Sequence, residues 1–290
     1  MMAKKSQYVV NEVFSNFIIM VKPTFLIIGT QKGGTTSLMR HLSRNPAIYV
    51  DMEPAFFSNN ESYKKGTKEY EKKLNNGLKN HVKWIKNSKN ISKKPTVIGE
   101  KTPEYMYNKK ALERIKQYNP NMKLIVVFRE PISRAYSQWN MYQSKANHKF
   151  KNMTFKAMVA KYIKETNLNF SESDRFNLIK RGIYAVQLAN IYDLFPKKNV
   201  LIIISEQFRT APLPTINKIC KFIGAPLFKT LQNMNYKNDV HKKNYAIPIS
   251  KSEFTKLYMY YQEYNETLYK ILGKPIKEWE DIYKSFFQKI

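Results

Sequence analysis

The sequence has a single cysteine, Cys220, among its 290 residues. That excludes an internal disulfide and the usual thiolate metal sites. In "INKICKFIGAP" the thiol falls at helical spacing with Ile216 and Ile219, the setting of a buried structural cysteine and not of a nucleophile. The four histidines, His41, His81, His148 and His241, are scattered without ligand spacing, so no metal centre is expected. Long apolar runs are missing too. The longest uncharged run near the start is "VFSNFIIMV", about half of what a bilayer span needs. Asn11 and Glu12 interrupt the apolar residues after "AKK", which gives no cleavable leader pattern. The expectation is a soluble, cytoplasmic protein without a transmembrane segment.

Acidic residues are also scarce, 22 against 50 basic ones, leaving a formal charge of +28. A field of one sign draws in polyanions: nucleic acid, anionic membrane or acidic glycans. Most of the charge is lysine dispersed along the chain among Asn, Tyr and Ile, as much a compositional bias as a patch, and it specifies no nucleic-acid site. Arginine is different. Only eight of the 50 basic residues are Arg, so an arginine inside a motif carries more information than a lysine does.

An apolar share of 43% and an aromatic share of 14% belong to a folded chain. No internal repeat or low-complexity linker divides it, and the reading is an N-terminal extension over 1–23 followed by one domain over 24–290. Short apolar runs, "TFLIIG", "AIYV", "TVIGE", "KLIVVFRE" and "VLIIISEQF", read as buried strands of a parallel sheet. Helical stripes lie between and after them: Tyr184, Leu188, Ile191 and Phe195 on one face, and Phe254, Leu257, Tyr261, Tyr264, Leu268 and Ile271 on another. The segment 58–95, rich in Lys, Asn, Glu and Tyr with little apolar periodicity, reads as a surface excursion. Together these predict an α/β fold, P-loop-like and three-layered, with a central mainly parallel β-sheet flanked by helices, in which ligands collect at the carboxyl ends of the strands.

The motifs fall there. "FLIIGTQKGGTTSLMRHL" has the strand, loop and helix order of a P-loop. The lysine comes early, however: Lys32 precedes Gly33 and Gly34, and Thr35 stands where a nucleotide triphosphatase has Lys. Gly33 and Gly34 allow backbone N–H groups close to an anion, Thr35, Thr36 and Ser37 offer hydroxyls at a helix N-terminus, and Lys32 adds charge. A triphosphatase also places an Asp for Mg²⁺ at the end of a second apolar strand. Here "LIVVF" ends in Arg129, whose guanidinium suits a phosphate and repels Mg²⁺. Glu130 follows it and leaves an opening for a metal or for pairing with Arg129. Pro131 opens a helix that carries Ser133 and Ser137 on one face.

The segments "GTQKGGTTSL" and "VVFREPISRAYSQW" resemble the 5′-phosphosulfate and 3′-phosphate motifs of sulfotransferases that use 3′-phosphoadenosine 5′-phosphosulfate (PAPS). "MEPAFF" and "GEKTPEYM" are similar to the E-x-H-F-F and E-K-T-P-x-Y segments of the glycosaminoglycan type, which includes heparan sulfate N- and 3-O-sulfotransferases. "RGIYAVQLANIYDLFP" resembles its G-x-Y helix, and "HKKNYAIPIS" its basic loop. The resemblance implies PAPS as donor without a required metal. Lys32, Gly33, Gly34, Thr35, Thr36 and Ser37 would hold the 5′ end, Arg129 and Ser137 the 3′-phosphate, with Lys242 and Lys243 as further donor contacts. It implies Glu53 as the base, Lys32 and Lys101 as stabilisers of the leaving phosphate, and a glycan as acceptor. The chain departs from the pattern at Ala55, where 3-O-sulfotransferases have His, and at Asn244, where some members have Arg. On the residues alone, a P-loop kinase and a non-catalytic basic binder of nucleic acid or glycan stay open.

Overall fold

The computed structural model describes residues 21–89, 95–145, 150–165, 168, 170, 176–231 and 248–288. In chain order these residues form β1 (Phe25–Gly29), α1 (Thr35–Leu42), β2 (Ile48–Met52), α2 (Asn60–Lys64), α3 (Thr67–Lys89), β3 (Val97–Lys101), α4 (Lys109–Tyr118), β4 (Lys123–Phe128), α5 (Pro131–Gln143), α6 (Phe155–Tyr162), α7 (Tyr184–Leu194), β5 (Val200–Ile204), α8 (Ser205–Thr210), α9 (Pro212–Ile223), α10 (Lys251–Leu272) and α11 (Lys277–Gln288). The five strands make one sheet in the order β2-β3-β1-β4-β5, with every pairing parallel.

Successive strand residues point to opposite faces, and here both faces are covered. Leu26, Ile28, Leu124, Val126 and Phe128 pack with residues of α4, α5, α6, α7, α10 and α11. Phe25, Ile27, Ile125 and Val127 pack with α1 and α9, where Cys220 is a buried core thiol. Burial on both faces is why the strands read as unbroken apolar runs and not as alternating ones. The helical stripes behave as expected: Tyr184, Leu188, Ile191, Phe195, Phe254, Leu257, Tyr261 and Leu268 are buried, and Tyr264 and Ile271 pack against the same core.

The segment 58–95 differs from the sequence reading. α3 runs for 23 residues and buries Tyr70, Glu71, Leu74 and Asn75. Two of those four are polar, so the apolar period was too thin to announce a packed face. Glu71 is accommodated by the Tyr118 hydroxyl, which donates to it at 2.9 Å.

Strand order places the site. From β1 the chain moves to β2 and β3 on one side, then to β4 and β5 on the other. The carboxyl ends of β1 and β4 therefore flank a topological switch point, where open parallel sheets bind ligands. No helix among the described residues is long and apolar enough to cross a membrane.

Candidate active site

The loop after β1 is pinned to β4. The Thr30 N–H donates to Val127 O at 2.9 Å, and the Gly33 N–H returns to Thr30 O at 2.9 Å. A Cβ on Gly33 would lie 2.5 Å from Val127 O, so only glycine lets the loop rest on the neighbouring strand. Lys32 has φ 71° and Gly34 φ 102°, left-handed values that non-glycine residues adopt at a cost. Gly34 is the N-cap of α1 and provides no side-chain cap. The N–H groups of the first turn are thus left for a ligand at the positive end of the helix.

Arg129, just past β4, reaches this loop, its Nη1 donating to Lys32 O at 3.2 Å. Its own carbonyl accepts the Tyr184 hydroxyl at 2.9 Å. The Nε of Arg129 is buried without a hydrogen-bond partner among the described residues. A buried, unsatisfied guanidinium N–H next to a glycine loop has the chemistry to pair with an anion. Ser137 is buried on α5, with Ser133 one turn earlier and half-buried.

Glu130 is occupied by the fold. It is fully buried. Its carboxylate caps α5 by accepting from the Ile132 N–H at 2.8 Å and the Ser133 N–H at 2.6 Å, and it accepts the Tyr283 hydroxyl at 3.1 Å. Burial raises its pKa, and those hydrogen bonds oppose the rise. Among the described residues it forms no ion pair with Arg129, and its oxygens are taken by the helix cap and by Tyr283. The sequence leaves that choice open because a carboxylate before Pro131 can serve as a cap, an ion-pair partner or a ligand.

The third element is the end of β2 and β3. Met52 is in register with Lys101, and the Glu53 N–H donates to Lys101 O at 2.9 Å, which extends the ladder one residue beyond β2. There the chain bends: Glu53 has φ 53° and Ala55 φ 51°. Lys101 is only 1% exposed, yet its Nζ forms an ion pair with Glu53 Oε1, whose side chain is 56% exposed. The same ammonium donates to Thr36 Oγ1 at 3.1 Å. Glu53, Lys101 and the phosphate-type loop are therefore one constellation.

Of the residues singled out in the sequence, Lys32 through Ser37 and Arg129 converge at the switch point, with Ser137 on the helix that follows Arg129. Glu53 and Lys101 meet beside Thr36. Lys242, Lys243 and Asn244 lie outside the described residues. Sequence reasoning missed Tyr184, which holds Arg129 through its backbone, and Thr102, whose hydroxyl accepts from the Ala55 N–H at 3.4 Å. Both lie in segments that carry the resemblance, Tyr184 in the G-x-Y helix and Thr102 in the E-K-T-P-x-Y segment, but the partners they act on are far away in the chain.

A glycine-rich loop at a helix N-terminus and a guanidinium at the adjoining strand end, with a buried ammonium and a solvent-facing carboxylate at their margin, are the parts of an α/β group-transfer site. They fit a donor that carries phosphate groups: the first-turn N–H groups of α1 have no side-chain cap, and Arg129 Nε is buried without a partner among the described residues. The sulfotransferase domain family matches residues 22–270, and the chain belongs to that family. Heparan sulfate glucosamine 3-O-sulfotransferase 5 of Mus musculus is 25% identical over 272 residues, covering 88% of this chain and 73% of its own. Heparan sulfate glucosamine 3-O-sulfotransferase 3B1 of Homo sapiens is 30% identical over 205 residues, covering 70% of this chain and 46% of its own. A sulfotransferase crystal structure from Alicyclobacillus acidocaldarius aligns with TM-score 0.66 at 19% identity, covering 90% of this chain and 99% of that one, a likeness of fold. The protein is thus a sulfuryl-transferring enzyme of α/β fold, and family membership implies PAPS as its donor.

Proposed function

We propose that this enzyme sulfates a hydroxyl or amino group on an acidic polysaccharide of the glycosaminoglycan kind, with no metal required, through Glu53, Lys101 and Lys32. PAPS supplies a sulfuryl group carried on a phosphate leaving group. Glu53 takes the proton from the acceptor O–H or N–H as the new bond to sulfur forms. Lys101 and Lys32 stabilise the negative charge that grows on the phosphate as its bond to sulfur breaks, and adenosine 3′,5′-bisphosphate leaves. Fixed cations at the developing charge favour the transition state over the ground state. Arg129 and Ser137 would hold the 3′-phosphate, and Gly33 to Ser37 the 5′ end.

The observation that carries this reading is the Lys101 ammonium held between Thr36 of the anion loop and Glu53. It joins a donor group to a base in one contact. The acceptor class is supported by the heparan sulfate relatives and by the +28 charge, which attracts a polyanion. The test is incubation with labelled PAPS and a panel of heparan-type and chondroitin-type polysaccharides, neutral glycans, lipids and tyrosine peptides. Label on the acidic polysaccharides, with and without chelator, is the expected result. Label confined to peptides, lipids or neutral glycans would overturn the acceptor class, and loss of transfer with chelator would overturn the metal-free chemistry.

A further inference from the structure

Glu100 immediately precedes Lys101 and takes no part in the chemistry above, yet its side chain is wholly buried. Strand alternation turns it to the face opposite Lys101, and there it meets a cage of phenols. The Tyr70 hydroxyl of α3 donates to Glu100 Oε2 at 2.8 Å. Tyr105, in the turn after β3, has its hydroxyl near Glu100 and accepts the Phe57 N–H at 3.3 Å. The Tyr70 ring stacks on Phe56, with centroids 4.5 Å apart and planes 11° from parallel, and meets Phe57 edge-on at 5.4 Å. Phe56 and Phe57 end the short segment that begins at Glu53 and contains the left-handed Glu53 and Ala55.

We infer that Glu100 is a positioning residue that fixes residues 53–57, and with them the base Glu53, through Tyr70 and Tyr105. A segment with two side-chain-bearing residues at positive φ persists only where its surroundings hold it, and this cage holds its far end together with Arg114, whose Nη1 donates to Phe57 O at 2.9 Å.

Among the described residues the groups facing Glu100 are Tyr70 from α3, Tyr105 after β3, Tyr118 at the end of α4 beside Glu71, and Asp51 from β2. No cation is among them. Burial pushes the Glu100 carboxyl up to about 8, Asp51 adds to the rise, and the Tyr105 and Tyr70 hydroxyls oppose it. The sign follows: the stabilisation of the protonated form is complete below the unfolded-state value and is lost as pH rises through about 8. Above that the cage contains an anion without a counter-charge, and the segment loosens.

The inference rests on the proposed role of Glu53 only in its kinetic arm. Amide hydrogen exchange is therefore measured first, as protection factors for 53–57 in the full chain with adenosine 3′,5′-bisphosphate bound, from pH 6 to 9.5. Protection in the wild type is expected to fall about tenfold between pH 7 and 9. Glu100→Gln, a fixed mimic of the neutral acid, should hold protection flat across that range. Glu100→Ala should lower it at every pH, and Tyr70→Phe should lower it with no change in nucleotide affinity. Where transfer from PAPS to heparan sulfate is measurable, the alkaline fall in kcat should move or vanish in Glu100→Gln while KM for PAPS stays constant. A wild-type profile that is flat, or one that Glu100→Gln shares, overturns the inference whatever the acceptor proves to be. So does wild-type protection in Glu100→Ala.

Discussion

Glu53 is bound twice to Lys101: its N–H donates to the lysine carbonyl at 2.9 Å, and its carboxylate pairs with the lysine ammonium. The backbone contact is the last rung of the β2–β3 ladder, so the sheet itself sets where the carboxylate stands. The side-chain contact ties the carboxylate to the anion loop through Thr36.

Replacing Glu53 by Gln should separate chemistry from binding. The side chain is 56% exposed, so folding is not at stake. Loss of a general base costs on the order of a hundredfold to ten-thousandfold in kcat, while calorimetric affinity for adenosine 3′,5′-bisphosphate should stay at the wild-type level. Turnover unchanged in Glu53→Gln would move the base elsewhere.

Arg129→Ala should weaken adenosine 3′,5′-bisphosphate by roughly 10- to 100-fold, the value of charge-assisted hydrogen bonds to one phosphate. Arg129→Lys should recover little of it, because an ammonium lacks the planar fork. Titration with adenosine 5′-monophosphate is the control: without a 3′-phosphate, its affinity should hardly respond to either substitution.

Two glycines distinguish close packing from backbone strain. Gly33→Ala sets a Cβ 2.5 Å from Val127 O and forces the loop off β4, so donor binding should be lost even if melting temperature falls only modestly. Gly66→Ala meets nothing within 4 Å but has φ 83°, and should cost only about 1–2 kcal/mol of stability with nucleotide affinity intact. Urea melts and product titrations on both variants check the contrast.

Glu130→Ala removes the cap of α5 and leaves the Tyr283 hydroxyl without its acceptor. A lost cap costs about 0.5–2 kcal/mol, and Arg129, one residue earlier, should lose alignment, so stability and product affinity should fall together. Glu130→Gln keeps one acceptor oxygen and should recover part of both. A fall in stability alone would show that the cap does not reach the Arg129 site.

Cys220 should resist alkylation in the native protein. It is buried in the core, and burial pushes its thiol up to about 11. The stability favouring the neutral thiol is complete below the ordinary value near 9 and is lost as pH rises through about 11. At pH 8 iodoacetamide labelling should follow global unfolding in urea.

Much of the site was legible because its groups lie close in sequence. The run from Gly29 to Ser37 names a strand end, a loop and a helix start, and its chemistry follows from residue types at consecutive positions. Arg129 stood out because arginine is rare in this chain and because an apolar strand ended on it. Glu130 was not decidable in this way: its partners Ile132 and Ser133 are local, but Tyr283 comes from the last helix. α3 was under-read because it buries Glu71 and Asn75 beside Tyr70 and Leu74, and polar residues with distant partners leave no apolar period.

The sequence by itself determined the layered α/β architecture, the glycine-rich loop after the first strand and the guanidinium at the strand end, because these depend on local pattern and on strands buried on both faces. Only the tertiary structure decided that Arg129 grips the Lys32 carbonyl, that Glu130 turns inward, and that Lys101 stands between Thr36 and Glu53. Those relations join residues tens of positions apart, and sheet order and register, which no local pattern encodes, bring them within hydrogen-bond reach.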